Sequence, residues 1–487
     1  MPDGFHTPDW VKEAIFYQIF PDRFAKSDRV AKPNNLEAWE TPPTVYGFKG
    51  GDLLGVVEHL DYLQDLGVTA IYFNPIFQSA SSHRYHTHDY FRVDPLLGGD
   101  EAFHTLIAAA HRHGIRVVLD GVFNHASRGF FQFNHIMENG ADSPYLDWFT
   151  IRQFPLNAYA GTPNYACWVN LPALPEFNID NPQVREFLFS VTRYWLGQGI
   201  DGWRLDVPFE IKDDSFWQEF RRIVKSTNPE AYIVGEIAWE AQHWLQGDQF
   251  DAVMNYQFTQ ACLGFFAGKR IDRAVEYGMM GLPSTAVLDA PAFAYRVEAL
   301  LNLYPRPAVL AQLNLLSSHD MPRFISLANH DEAALRLAVL FQMSYPGAPC
   351  IYYGDEIGLR GGSTHPEPSR AAFPWNLSDW DQRLRAYIKE CIALRKKYPA
   401  LRGGDYVSLY ASDQVYACLR RLDSEALVVI FNNGDHPAQL DLLDHPALPQ
   451  VAGWEKLLGE AHTGEPLTLA RLQLPARSGS VFLAQTA

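Results

Sequence analysis

The chain has 487 residues, too many for a single compact core, so two or more domains are expected. Apolar residues make up 47% and charged residues 20%, the balance of a globular protein, and aromatics reach 14%, which suits a core and also a surface that stacks flat, amphipathic ligands. The net charge of −16 argues against nucleic acid and against an anionic membrane surface as partners.

The opening stretch MPDGFHTPDWVKEAIF has neither the basic start nor the apolar centre of a signal peptide. No run approaches the roughly 20 apolar residues of a membrane span. Cysteines at 167, 262, 350, 391 and 418 are scattered and lack CxxC spacing, so they read as buried thiols, and a cytoplasmic location is expected.

Along the chain, short β-branched or aromatic runs recur. They are Ala14–Phe20, Ala70–Asn74, Arg116–Val122, Gly202–Val207, Ala231–Glu236, Ala252–Tyr256, Leu313–Ser318 and Pro349–Tyr353. Helical patterns lie between them, such as Asp100–His113, closed by Gly114, and Gln183–Gly197. Eight strand–helix units predict an α/β fold, a closed (β/α)8 TIM barrel. One interval is too long for a plain barrel: about 80 residues separate Val122 from Gly202. Residues 126–179 are rich in Asn, Pro, Tyr, Phe and Gly, show no clear helical period, and are expected to form an inserted domain after the third strand. The barrel is then 1–125 with 180–402. From about residue 403 the runs VYACLRRL, ALVVIFNN, AQLDLL and GSVFLAQ predict a C-terminal antiparallel β-sandwich, 403–487.

Catalytic groups of such barrels sit at the carboxyl ends of the strands. Five of the predicted strand ends carry carboxylates: Asp120 in DGVFNH, Asp206 in GWRLD, Glu236 in VGEI, Asp320 in SSHD, and Asp355 with Glu356 in YYGDE. Alternation places Arg204 and Asp206 on one face of their strand. Burying this much charge is costly without compensating partners, so the cluster implies a site. Two metals would need such a cluster, and so would glycoside hydrolysis.

The motifs DGVFNH (120–125), GWRLD (202–206), VGEI (234–237), SSHD (317–320) and PGAPCIYYGDE (346–356) resemble, in order and spacing, the α-amylase family of glycoside hydrolases. YQIFPDRF (17–24), the stretch 50–77 and SHDMPRF (318–324) are similar to the branch containing cyclomaltodextrinases, neopullulanases and maltogenic amylases. The resemblance implies Asp206 as nucleophile, Glu236 as general acid/base and Asp320 as the carboxylate that grips the sugar hydroxyls. It implies Arg204 beside the nucleophile and Asp120 as a structural aspartate behind it. His125 and His319 are implied to bond the sugar, and Tyr85 to stack on it. Trp239 is expected as an acceptor platform, and Phe209 and Arg323 at the substrate. The implied substrates are cyclomaltodextrins, maltooligosaccharides or pullulan, cleaved at α-1,4 bonds, with α-1,6 cleavage and transfer to a second sugar open on the same residues.

The chemistry gives independent reasons for these residue types. A retaining glycosidase needs two carboxyls about 5–5.5 Å apart, one ionised to attack and one protonated to release the leaving oxygen. Arg204 is expected to keep Asp206 ionised, while the apolar AYIVG before Glu236 and a nearby Asp320 would raise the acid.

The sequence also departs from the branch. Its usual N-terminal β-sandwich has no counterpart before the first barrel strand, which points to a monomer or a weak homo-oligomer. Pro208 and Phe209 replace more polar residues after the nucleophile, His86 stands where relatives often carry Asp, and LPEFN (174–178) carries Glu176 in place of a lysine. Calcium is possible but not favoured, and no cofactor is expected to be required. Asn124 resembles a calcium-ligating asparagine, but its histidine partner is missing. In the loop AKSDRVAKPNN (25–35), Lys26 and Lys32 sit where a divalent ion needs oxygen, and Lys26 is expected to supply the charge itself. Asp28, Asn34, Asn35 and Asp52 are the residual metal candidates. Two alternatives remain at this point: a glucanotransferase or a sucrose- or trehalose-active enzyme of the same family, and a non-catalytic amylase-like binding subunit.

Overall fold

In the computed structural model, which describes residues 5–276, 281–361, 367–459 and 468–485, each of the eight predicted runs overlaps a strand. They are β1 (Phe16–Ile19), β2 (Ala70–Phe73), β3 (Arg116–Gly121), β4 (Gly202–Leu205), β5 (Tyr232–Gly235), β6 (Ala252–Val253), β7 (Leu313–Leu315) and β8 (Ala348–Tyr352). Neighbouring strands pair in parallel in the order β6-β5-β4-β3-β2-β1-β8-β7. A parallel bridge between Met254 and Leu313 closes the ring, reinforced by the Asn255 N–H donating to Leu313 O at 2.8 Å. The strands are buried on both faces, which is why they read as continuous apolar runs instead of alternating ones. β6 is the shortest, two residues of a five-residue run. Asn255 caps the next helix, Tyr256–Cys262, through its side chain, so the last two residues of the run turn away from the sheet.

The helices lie outside the barrel. Gly99–Arg112 ends before Gly114, whose φ of +70° is the left-handed exit a glycine takes freely. Pro182–Gly197, Asp214–Thr227, Glu332–Ser344 and Gln382–Lys397 each start on an Asn or Asp side chain that accepts a backbone N–H. Gly202 opens β4 because a Cβ there would lie 2.4 Å from Tyr232 O of β5. Any other residue would push apart the two strands that carry Asp206 and Glu236.

Between β3 and β4 the chain makes a separate layer. Isolated antiparallel bridges join His125 to Glu176, Phe149 to Phe177, Ile151 to Tyr165 and Cys167 to Pro175. An aromatic cluster fills it, with Phe133 at 5.0 Å from Phe149 and 4.9 Å from Tyr165. The segment also holds a helix, Phe131–Asn139, where the sequence shows no period. Phe133 and Ile136 face inward, while Phe131 on the opposite side is 63% exposed, so the apolar residues do not mark one face.

The C-terminal part contains β9 (Asp405–Ser412), β10 (Val415–Leu422), β11 (Glu425–Asn432), β12 (Ala438–Leu440), β13 (Gly453–Gly459), β14 (Leu472–Leu474) and β15 (Ser478–Gln485). Five pair antiparallel in the order β9-β10-β11-β15-β13, and β12 pairs with β14. Leu419, Val428, Ile430 and Phe482 pack with Leu440, Trp454, Leu472 and Leu474 to form a second core. Strands β9, β13 and β14 are additions to the predicted set. Each carries polar residues at its outward positions and is only partly buried.

Candidate active site

The floor of the site is Arg204. Its Nη1 donates to Asp120 at 2.9 and 3.0 Å and to Asp206 at 2.9 Å, and its Nη2 meets Glu236 Oε1. The guanidinium is fully buried, and its Nε faces Met254 sulfur at 3.4 Å. β3, β4 and β5 thus deliver one carboxyl each to the same cation.

Behind this cation, Asp120 accepts from the hydroxyls of Tyr72 and Tyr85, both at 2.9 Å. Tyr85 stacks on His319, with centroids 5.5 Å apart and planes within 7°. Gln18 donates its amide to His319 Nδ1 at 2.9 Å, which assigns the proton to Nε2. That nitrogen lies 2.9 Å from Asp320 Oδ2. Arg370 donates to Asp320 Oδ1 at 3.0 Å and to His319 O at 2.8 Å.

These contacts set the charges. Burial pushes the Glu236 carboxyl up to about 7 against the pull of Arg204, and the Asp320 charge adds to the rise. Burial also pushes Asp206 up against Arg204. Arg204 does lower Asp206, as expected, but it does not outweigh burial, so the net shift is upward. One guanidinium is divided among three carboxylates, and what reaches Asp206 does not offset its desolvation. Asp206 and Glu236 therefore titrate as a pair. Asp320 behaves oppositely: burial raises it, but His319 and Arg370 outweigh burial and hold it well below the usual carboxylate range. Burial pushes His125 down to about 3 and His86 to about 4, so both are neutral near pH 7.

One residue of the floor is strained. Val207, directly after Asp206, has φ 36° and ψ 49°, a left-handed conformation unfavourable for a β-branched side chain. It turns its N–H onto Glu236 Oε2 at 3.1 Å, tying the acid to the residue that follows the nucleophile.

Above the floor is a cavity of about 710 Å³. Tyr85, His125, Asp206, Glu236, Phe209, Trp239 and Asp320 line it. His125 Nε2 is buried with no hydrogen-bond partner among the described residues, leaving it open to a ligand hydroxyl. Phe209 and Trp239 form a tilted pair 4.7 Å apart at the rim. Asp120, Arg204 and His319 sit beneath or behind the lining and act through it.

Arg323 lies elsewhere than expected. It is fully buried, its Nη1 donates to Tyr353 O and Asp355 Oδ1 at 2.7 Å each, and its guanidinium lies over the rings of Tyr352 and Tyr353, outside the cavity lining. Sequence reasoning missed Arg370, His83, Trp168, Val169 and Leu171, all of which line the cavity. The signal available for Trp168 was a tryptophan inside a Pro- and Asn-rich stretch, where an apolar core position is unexpected.

The metal candidates do not assemble a site. Asp52 accepts from the Ser27 and Gly55 N–H groups and pairs with Lys32 Nζ at 3.1 Å, while Lys32 also donates to Leu96 O. Lys32, not Lys26, supplies the cation there. Lys26 instead lies over the Trp39 ring. Asp28, Asn34 and Asn35 are exposed. Asn124 lines a polar recess with Glu176, Asp180, Glu210 and Asp213, but Lys212 lines it as well. Among the described residues no group of three His, Cys, Asp or Glu is arranged to hold a metal ion.

Carboxyls from three strand ends, converging on a cavity at the mouth of a closed parallel barrel, define a site built to cleave a glycosidic bond. Residues 18–390 match the model of the α-amylase catalytic domain. A cyclomaltodextrinase from Bacillus sp is 44% identical over 435 residues, 88% of this chain and 74% of that one. Neopullulanase 2 from Thermoactinomyces vulgaris is 45% identical over 434 residues, 88% of this chain and 71% of that one. The crystal structure of a debranching enzyme from Nostoc punctiforme superposes with a TM-score of 0.88 at 48% identity, covering 98% of this chain and 99% of that one. The chain belongs to the α-amylase family and is a hydrolase of α-glucosidic bonds.

Proposed function

We propose that the chain cleaves α-1,4 bonds, and α-1,6 bonds in branched or mixed chains, in cyclomaltodextrins, maltooligosaccharides and pullulan, with retention of configuration. The observation that carries this is the single buried guanidinium that holds Asp206 and Glu236 together at the cavity floor. The names of the relatives, a cyclomaltodextrinase, a neopullulanase and a debranching enzyme, support the substrate class.

In the reactive form the pair's one proton is on Glu236 and the charge is on Asp206. Glu236 protonates the glycosidic oxygen as Asp206 attacks C1 from the other face, giving a glycosyl ester. Water, deprotonated by Glu236, then attacks C1 and returns Asp206 to its carboxylate. Asp320, ionised by its histidine and arginine neighbours, grips the sugar hydroxyls and stabilises the positive charge developing at C1. Neutral His125 bonds a hydroxyl without adding repulsion.

The same reading needs no calcium, since Lys32 supplies the positive charge at Asp52. The five cysteines are free thiols and no described helix is long and apolar enough to cross a membrane, which supports the cytoplasm as the place of action. The assembly proposed is a monomer or a weak homo-oligomer.

Proton NMR of the first turnovers on β-cyclodextrin or maltotriose tests the reaction. The expected first product is the α-anomer. The β-anomer appearing first, or no reducing sugar at all, contradicts the proposal.

A further inference from the structure

Two polar side chains beneath the site do not line the cavity. Gln18 of β1 and Asn74, which follows β2, are both fully buried. The bond cleavage proposed above uses neither. Both are bonded to groups that it does use.

Their hydrogen bonds run in one direction. The Tyr85 hydroxyl has a single proton and gives it to Asp120 at 2.9 Å. Its oxygen is left to accept, from Asn74 Nδ2 at 3.0 Å and from His319 Nε2 at 2.7 Å. Asn74 therefore turns its Oδ1 the other way, where it accepts from Gln18 Nε2 at 3.1 Å. The second proton of that amide points at His319 Nδ1, 2.9 Å away. Two arms thus leave Gln18 and meet at Tyr85, one through Asn74 and one through His319. The opposite sense would take the Tyr85 proton from Asp120 and set a bare His319 Nε2 lone pair against Asp320 Oδ2 at 2.9 Å. Gln18 Oε1 is buried with no hydrogen-bond partner among the described residues, so the amide is held by its two N–H bonds alone.

We infer that Gln18, its amide oriented by Asn74, is a positioning residue that denies His319 a second proton and so keeps the charge of Asp320 available to the reacting sugar. An imidazole beside an ionised carboxylate is favoured to bind a second proton and become its counter-ion. Here Nε2 already carries a proton, and the lone pair of Nδ1 is occupied by the N–H of Gln18. The charged and titratable groups facing the ring are Asp320, Arg370, Arg204, His83 and Tyr85. Burial, with Arg370 and Arg204, opposes the second proton, and Asp320 favours it. An imidazolium 2.9 Å from Asp320 would cancel the field that stabilises positive charge at C1. The effect on turnover rests on the role proposed for Asp320, whereas the position of the proton does not.

Nitrogen NMR of protein carrying isotopically labelled histidine tests this, the His319 signals being those lost in His319→Asn. In the wild type near pH 7, Nε2 is expected to carry a proton and Nδ1 none. Gln18→Glu puts an acceptor in place of the donor and is expected to leave both nitrogens protonated. Its kcat on maltotriose is expected to fall roughly a hundredfold, the effect of one misplaced charge in a preorganised site, with KM little changed. Gln18→Met removes the donor without burying a charge, so the test survives if Gln18→Glu fails to fold. There the His319 pKa is expected to rise. Activity needs the neutral ring, so it is present above that pKa and lost as pH falls through it, and the acid side of the kcat profile moves to higher pH. A proton on Nδ1 in the wild type overturns the proposal. So does a Gln18→Met variant with a singly protonated ring and an unmoved acid side, even if its kcat is lower, because that is the mark of a structural role alone. A β-anomer as first product would instead overturn the reaction that Asp320 serves, and the two failures are distinguishable because the proton positions are read without turnover.

Discussion

The molecule buries arginines in two different ways. At the mouth of the barrel, Arg204 faces Asp120, Asp206 and Glu236. Where the barrel meets the C-terminal sheets, Arg395 donates to the carbonyls of Met343, Tyr345 and Leu401 at 3.0, 3.1 and 3.0 Å, and Arg420 to those of Leu401 and Gly404 at 2.9 and 3.0 Å. Burial pulls Arg395 down to about 9, where the neighbouring Arg420 adds to the fall, whereas the carboxylates around Arg204 overcome burial and hold it well above its ordinary value. A buried guanidinium is therefore no sign of function on its own. One that ends chain segments on carbonyls is a staple, and one that gathers more carboxylates than it can neutralise stores the proton that chemistry needs.

Substitutions separate the two. Asp206→Asn or Glu236→Gln is expected to lower turnover by more than roughly a thousandfold while the far-ultraviolet circular dichroism and the melting temperature hold. Turnover near wild type in either variant would remove the residue from the chemistry. Arg395→Met is expected to reverse the pattern. It strands several buried carbonyls and costs about 3 kcal/mol of stability, read as a lower melting temperature, with kcat unchanged below the transition. A loss of kcat without a loss of stability would mean that the staple reaches the site.

The titration of the pair gives a smaller effect. Glu236 sits near 7, raised from its ordinary value, and the reaction uses its protonated form. Activity is thus present below that pKa and lost as pH rises through it. The kcat/KM profile is expected to fall on its alkaline side with a midpoint near 7, and in Asp320→Asn that midpoint is expected to move down because one raising charge is gone. An unmoved midpoint would detach Asp320 from the acid. The smallest effect concerns calcium. EDTA is expected to leave activity intact and shift melting by no more than about 1 °C, since Lys32 already neutralises Asp52. A large loss restored by calcium would contradict the lysine reading.

Much of this was legible because the catalytic carboxyls stand at the ends of strands whose apolar runs cannot be mistaken. Asp206, Glu236 and Asp320 follow β4, β5 and β7 within a few residues. What escaped depends on side-chain direction. Arg323 and Arg370 both follow the β7 and β8 ends, yet one turns under Tyr353 and the other onto Asp320. Lys26 and Lys32 lie six residues apart in one irregular loop, and only the path of that loop decides which meets Asp52. The rise of Asp206 was misjudged for a related reason. Its neighbour in sequence is Arg204, but the other two claimants on that charge come from β3 and β5. The loop 168–171 carries no periodicity, and its exposure follows from left-handed backbone that composition does not reveal.

The central claim is that Asp206 carries the sugar. Glu236→Gln treated with α-maltosyl fluoride, whose leaving group needs no protonation, is expected to accumulate a glycosyl ester, because the base that would activate water is gone. Mass spectrometry of the quenched, digested protein should then find one maltosyl unit on the peptide containing Asp206. A maltosyl unit on any other residue, or fluoride release with no adduct and a product of inverted configuration, would contradict the account.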